Sequence, residues 1–143
     1  MITKNRKAFY EYNILEEYDA GVMLFGSEVK SIRNGDVTLS DSFIYLKDGE
    51  VWIKNLRVSR YKQSHVSEPH DESRDKKLLL TKKQIYKISR KLEDVGVTCI
   101  PLSIFIKSNK LKIKIGVAKG KKLYDKRKSI KDRDIQREIQ RGL

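Results

Sequence analysis

The segment KLKIKIGVAK, from Lys110 to Lys119, constrains the fold more than any other part of this sequence. Leu111, Ile113, Ile115 and Val117 alternate with Lys110, Lys112 and Lys114. That period of two presents one apolar face and one ammonium face only on an extended strand. The preceding CIPLSIFIK alternates Ile100, Leu102, Ile104 and Ile106, and Ser108-Asn109 between the two reads as a tight turn. Together they predict an antiparallel hairpin resting on a core. Pro101 has no amide hydrogen, so its strand is expected to meet an edge or a bulge there.

A second hairpin is marked by Asp48-Gly49 between SFIYLK and EVWIKNLRV, since Asp-Gly accepts the positive φ angles of a two-residue turn. Upstream, AFYEYNILEEY is rich in aromatic and branched residues, and GVMLFG follows it. One helix is strongly signalled. Thr81 and Gln84 form a capping box, and Leu80 and Ile85 are placed as a hydrophobic staple. Ile85, Ile88 and Leu92 then recur at helical spacing before Gly96. A shorter helical turn fits SEVKSIRNG, where Val29 and Ile32 share a side before Gly35, and the polar stretch from Tyr61 to Asp75 reads as an exposed loop. Five or six short strands with one helix between the fourth and fifth describe a mainly β domain with accessory helices. An OB-fold-like antiparallel β-barrel has that make-up; a split α+β sheet is the alternative.

Charge divides unevenly along the chain. The 143 residues hold 32 Lys plus Arg against 19 Asp plus Glu, a formal net charge of +13. Residues 1–118 carry +7 and residues 119–143 carry +6, so the last 25 residues are about four times as densely charged. They show no strand pattern. We therefore expect residues 1–120 to form the barrel and residues 121–143 to be a flexible basic tail. Drawn as a helix, the tail places Ile135, Ile139 and Leu143 on one stripe and Arg133, Arg137 and Arg141 nearly opposite. Three apolar residues do not hold such a helix in water. The tail is expected to be disordered when free and helical on a polyanion; a frayed solubilising terminus is the plainer reading.

The partner implied is anionic. Lys110, Lys112 and Lys114, with Lys119, Lys121 and Lys122 continuing the positive surface past the strand, suit phosphates. A merely solvated strand face is the competing reading. Asn5, Arg6 and Lys7 form a second basic cluster beside Phe9, Tyr10 and Tyr12; one or two of these aromatics belong in a core, and the others suit stacking on unpaired bases. Catalysis has little support. In GVAKGKK the glycines Gly116 and Gly120 are too close for a phosphate loop, and no Ser or Thr follows Lys121. His65 and His70 share a loop with Glu68, Asp71 and Glu72 but lack a second anchoring segment, so no metal or other cofactor is expected. Cys99, the single cysteine, lies in an apolar strand and reads as a small buried hydrophobe. No apolar run approaches the ~20 residues that cross a bilayer, and MITKNRKAFYEYN lacks a signal peptide's apolar core. A soluble cytoplasmic protein without membrane contact, and not an enzyme, is expected.

NRKA from Asn5, DAG at Asp19 to Gly21, GSEVKSIRNG from Gly26, KKLLL from Lys76 and GVAKGKKLYDKR from Gly116 cover nearly the whole chain. Together, in this order, they resemble the SsrA-binding protein family, SmpB. The resemblance implies an OB-fold barrel bound to the tRNA-like domain of transfer-messenger RNA. Such proteins bring that RNA, with elongation factor Tu, to stalled bacterial ribosomes, where trans-translation tags the nascent chain and frees the ribosome. A monomer in a one-to-one RNA complex is the expected state.

The resemblance also implies residue roles. Asn5, Arg6, Lys7, Asp19, Leu79 and Lys112 match positions linked to RNA binding, and Lys76 and Lys77 of KKLLL accompany them. Asp19 is expected to orient a neighbouring Arg or to accept from a base amine, and Leu79 to support the surface or pack on a nucleotide. The tail would become helical in the messenger channel beside the small-subunit decoding centre. Asp125, Lys126 and Arg127 match a DKR motif implicated in ribosomal function; Tyr124 is placed to stack on a decoding-site base, with Arg133, Ile135, Arg137 and Ile139 in the helix. Two departures stand out. Lys76 occupies a position more often Arg, which loses planar bidentate phosphate recognition, and Gln84 replaces a frequent Glu while keeping the capping geometry.

Overall fold

Ser108 and Asn109 both adopt the left-handed region, with φ of 52° and 62°, the two-residue turn whose twist matches the strands it joins. Asp48 and Gly49 do the same, at 52° and 74°. The computed structural model describes residues 1–59 and 71–121. In chain order its elements are β1 (Thr3–Lys4), α1 (Arg6–Glu11), β2 (Tyr12–Val22), α2 (Gly26–Arg33), β3 (Val37–Thr38) and β4 (Phe43–Lys47). There follow β5 (Glu50–Lys54), β6 (Arg57–Val58), β7 (Lys76–Leu79), α3 (Lys82–Leu92), β8 (Val97–Lys107) and β9 (Lys110–Gly120). The helix α3 falls between the fourth and fifth of the longer strands, as its signals predict.

Seven strands form one antiparallel sheet in the order β1-β8-β9-β2-β7-β5-β4, and β3 and β6 make a separate pair. The sheet curls so that β4 lies against β8, but no ladder joins the two ends. The OB-like architecture is therefore present as an open barrel; closure is the part of the expectation that fails. Inside the curl, Ala20, Val51, Ile53, Leu78, Ile104, Ile113, Ile115 and Val117 form the core with Ile32 of α2 and Ile88 of α3. Thr81 Oγ1 accepts from the Gln84 amide at 3.2 Å while Gln84 Oε1 accepts from the Thr81 amide at 3.0 Å, so the capping box is complete. Cys99 is buried in this core, and burial pushes its thiol pKa up to about 12, which leaves it an inert apolar side chain.

Two departures from simple alternation shape the outer side of the sheet. β8 bulges between Pro101 and Ser103, and β2 between Ile14 and Glu16, each where it pairs with β9. A bulge shifts the inward–outward register by one residue. Ile104 consequently faces the barrel core, whereas Ile100 and Leu102 join a second apolar cluster with Ala8 and Ala118, lined by Phe9, Tyr12 and Ile14. The single apolar face expected for β8 is thus split across both sides of the sheet. The segment read as aromatic-rich supplies the reason: its first part is the helix α1, which packs on the outer face and covers it. Gly116 permits that close approach, since a Cβ there would lie 2.9 Å from Leu102 Cδ1 and 3.2 Å from Ile14 Cγ2.

Candidate nucleic-acid interface

In an antiparallel ladder, residues directly opposite one another share a face. Phe105 of β8 is opposite Lys112 of β9, Lys112 is opposite Gly21 of β2, and Gly21 is opposite Leu79 of β7. Four strands thereby place one row across the outer face. The next row holds Ser103, Lys114 and Asp19, and beyond Lys112 the hairpin end holds Lys107 opposite Lys110. Lys77 extends the face along β7, opposite Trp52 and 3.6 Å from Glu50. Arg33 of α2 donates to the Asn109 carbonyl at 3.1 Å and ties the hairpin tip to that helix.

The charges in this face are unequal. Lys114 Nζ lies 3.8 Å from Glu17 Oε2 and 3.9 Å from Asp19 Oδ1. Asp19 therefore partners a lysine across the ladder; the neighbouring arginine expected for it is not what the structure places there. At half-exposed positions such pairs contribute only ~0–1 kcal/mol, yet they cancel much of the local field. Among the described residues neither Lys110 nor Lys112 has a carboxylate within ion-pair distance, so the uncompensated positive charge is centred on them. Beside Lys112, Leu79 is 50% exposed. Its side chain leans over Gly21, where an added Cβ would come within 3.2 Å of Leu79 Cβ. An apolar surface next to two free ammonium groups can hold a nucleobase and its phosphate together.

The second basic cluster is built differently. Asn5 is buried: its side-chain oxygen accepts from the Ala8 amide at 3.3 Å, capping α1, and its Nδ2 donates to the Pro101 carbonyl at 2.9 Å. Both ends of the amide are committed, so Asn5 positions α1 and presents no surface for direct contact. Arg6 and Lys7 are exposed. Phe9 and Tyr12 pack into the second apolar cluster, and the Lys4 ammonium sits 4.7 Å from the Phe9 ring centroid. Lys121 donates from Nζ to the Phe9 carbonyl at 3.2 Å, and its amide donates to the Glu11 carbonyl at 2.8 Å. It closes the C-terminal end of α1, where a cation is favoured. Lys119, exposed, has the register of Ile113, Ile115 and Val117 and not of the lysine row. Five residues along β9 also separate it from Lys114 by ~17 Å. The single continuous lysine surface expected from the sequence is therefore two separate patches, divided by the docked α1.

Lys76 is a further correction. It is 0% exposed, with Nζ donating to the Arg74 carbonyl at 2.8 Å and the Leu56 carbonyl at 3.1 Å, and lying 3.7 Å from Glu28 Oε2. Burial pulls its pKa down, opposed by Glu28. No phosphate can reach this ammonium. Glu28 is itself buried in α2; its Oε1 accepts from Arg74 Nη2 at 2.6 Å and from the Phe25 amide at 2.8 Å. Arg74 also lies 4.3 Å from the Phe25 ring centroid. The residues just before β7, expected in an exposed loop, thus lock α2 to β7.

Comparison with known proteins places this geometry. The family model "SmpB protein" matches residues 2–143. The chain belongs to the SmpB family. An SsrA-binding protein of Treponema denticola is 48% identical over 143 residues, covering 100% of this chain and 92% of that protein. One from Ligilactobacillus salivarius is 46% identical over 142 residues, covering 99% and 91%. A solved structure described as "tmRNA-SmpB: a journey to the center of the bacterial ribosome" superposes with a TM-score of 0.70 at 38% identity, covering 85% of each chain.

Within the SmpB family frame, the motif residues Asp19, Gly21, Leu79 and Lys112 come from three separate strands and meet in two adjacent rows. Phe105 shares that face and was not among the candidates, although its place in the alternation of CIPLSIFIK, opposite in phase to Ile104, carried the signal. Lys122, Tyr124, Asp125, Lys126, Arg127, Arg133, Ile135, Arg137 and Ile139 lie outside the described residues, as do His65, Glu68 and His70. Among the described residues no group of three metal-ligating side chains converges, and no helix is long and apolar enough to cross a membrane.

Proposed function

We propose that the chain binds the tRNA-like domain of transfer-messenger RNA through the outer face of its sheet and delivers that RNA to stalled ribosomes for trans-translation. The gathering of Asp19, Gly21, Leu79, Lys110 and Lys112 on one face, with uncompensated ammonium groups beside an exposed leucine, carries this reading. Lys77 and Lys114 lie in the same face, each beside a carboxylate that RNA phosphates would compete with, and Arg6, Lys7 and Lys119 supply the positive charge of the second patch. Asn5, Lys76 and Lys121 act by holding α1 and β7 in place. Residues 121–143 form the arm, anchored on α1 at Lys121 and becoming helical beyond it in the messenger channel, with Tyr124, Asp125, Lys126 and Arg127 at the decoding centre. Elongation factor Tu joins the delivery complex, which holds one protein and one RNA in the cytoplasm. The protein contributes binding and positioning, and no catalysis of its own.

Replacing Lys112 by Ala lowers affinity for the isolated tRNA-like domain and reduces the slope of log K against log salt by about 0.7–0.9, one phosphate contact. An unchanged slope removes Lys112 from the interface. Deleting residues 125–143 leaves that affinity intact and abolishes tagging on stalled ribosomes. A tail deletion that weakens RNA binding severely contradicts this division of labour. Unstructured RNA competing better than the folded tRNA-like domain contradicts the choice of partner.

A further inference from the structure

Helix α3 carries five cations, Lys82, Lys83, Lys87, Arg90 and Lys91, and no acidic residue among its eleven positions. Lys83, Lys87 and Lys91 follow at i, i+4 and i+8, one face extending over ~12 Å. Neighbouring like charges at this spacing oppose helix formation. Lys82 and Lys83 also occupy the first turn, where the macrodipole disfavours cations. The macrodipole favours Arg90 and Lys91 in the last turn, but folding supplies no reason for Lys82, Lys83 and Lys87, and residues that break local rules without a structural gain mark functional surfaces. Among the described residues only Lys91 reaches a carboxylate, Glu16 at 3.9 Å. Tyr86 projects from the middle of the helix, 63% exposed, with the Arg90 guanidinium 5.9 Å from its ring centroid. Open clefts of about 600 and 680 Å³ flank it, one against Glu16, Glu17 and Tyr18 of β2, the other against the β4–β5 turn.

We propose that this face of α3 is a second phosphate-backbone site that holds ribosomal RNA while the sheet face holds transfer-messenger RNA. The inference rests on the ribosomal reading above. Its partner must be a second RNA because an acidic strip lies between the two surfaces. Glu16 and Glu17 wall the α3 cleft, and Asp19 follows beside Lys114; Lys91 and Lys114 offset only part of these three carboxylates, so a negative excess remains along the strip. One backbone running from the lysine row to α3 would have to cross these carboxylates, whereas two backbones approaching from separate sides avoid them. On α3, Lys83, Lys87 and Arg90 contact phosphates and Tyr86 offers its ring to an unpaired base.

The test uses the full chain, a transcript of the tRNA-like domain and vacant ribosomes. Acetylation footprinting of the wild-type protein should show Lys83 and Lys87 protected on ribosomes and reactive when only the tRNA-like domain is bound. The variant K83Q/K87Q/R90Q should keep its affinity for the tRNA-like domain and its melting temperature. Its preformed RNA complex should bind ribosomes about tenfold or more weakly, with a flatter salt dependence. Unchanged ribosome affinity overturns the proposal, as does protection of Lys83 and Lys87 by the tRNA-like domain alone. Photocross-links from position 86 to a ribosomal protein and none to RNA also overturn it. Should the transfer-messenger RNA reading be the one at fault, the wild-type protein fails to bind the tRNA-like domain, an arm read independently of the footprint.

Discussion

Gly116 marks the place where the sheet is packed on both sides. A methyl group at this position meets Leu102 Cδ1 at 2.9 Å and Ile14 Cγ2 at 3.2 Å, and both side chains are confined beneath α1. Gly116→Ala is expected to cost ~1–3 kcal/mol through overpacking, seen as a lower urea midpoint with an unchanged slope. Lys76 poses the opposite problem, a charge whose desolvation is offset only by its partners. Lys76→Ala leaves Glu28 with Arg74 as its one charged partner in a buried site and is expected to destabilise by ~3 kcal/mol. Lys112→Ala, on the exposed outer face, should leave stability almost unchanged in the same denaturation experiment. Tyr18 carries a pH dependence. Burial, then its 2.6 Å hydrogen bond to Glu16, raises its pKa to about 12, against ~10 in the unfolded chain. The folded protein therefore retains a proton that the unfolded chain loses. This stabilisation is complete below pH ~10 and disappears as pH rises through about 12. Tyr45 is also raised, chiefly by its hydrogen bond to Asp75, so ultraviolet titration of phenolate should show more than one tyrosine ionising late, and Tyr18→Phe should remove one of them.

Among the elements, those with their own local chemistry were legible in the sequence. Both two-residue turns rest on Asp48-Gly49 and Ser108-Asn109, and α3 on the Thr81–Gln84 box. Thr81→Ala is accordingly expected to lower stability by ~1 kcal/mol, measurable by thermal melting. The helix α1 was not legible, because six residues, two of them the aromatic Phe9 and Tyr10, carry no helical period of their own. Its cap, Asn5, works only because Pro101 offers a carbonyl from β8, 96 positions away. The bulge at Leu15 was equally silent, whereas Pro101 announced the one at Leu102. Both follow from the need to turn Ile14, Ile100 and Leu102 toward α1 while Tyr18 and Ile104 stay with the barrel. The candidate site was legible wherever alternation held, at Lys110, Lys112 and Lys114. It misled where alternation changed or a partner lay far off in sequence, at Lys119, Lys121, Lys76 and Asp19.

Across the molecule, the +13 charge resolves into surfaces with different tasks: the lysine row, the α1 end, the α3 face and the tail. What joins them is β9, which pairs with β8 on one side and β2 on the other. A fragment ending at Asn109 loses this central strand and is expected to show no cooperative thermal transition by circular dichroism. The same connectivity governs the order of events during synthesis. Thr3 pairs with Ile104, and Tyr12 through Gly21 pair with Gly120 back to Lys112. β1 and β2, made before the other strands described, thus wait for the last of the barrel, an interval of ~5–20 s at ~5–20 residues per second. Until then β2 has an unmatched edge and an apolar inner face. A synthesis halted before β9 therefore leaves a chain whose β2 and β8 lack the strand between them and whose sheet cannot close up on its core.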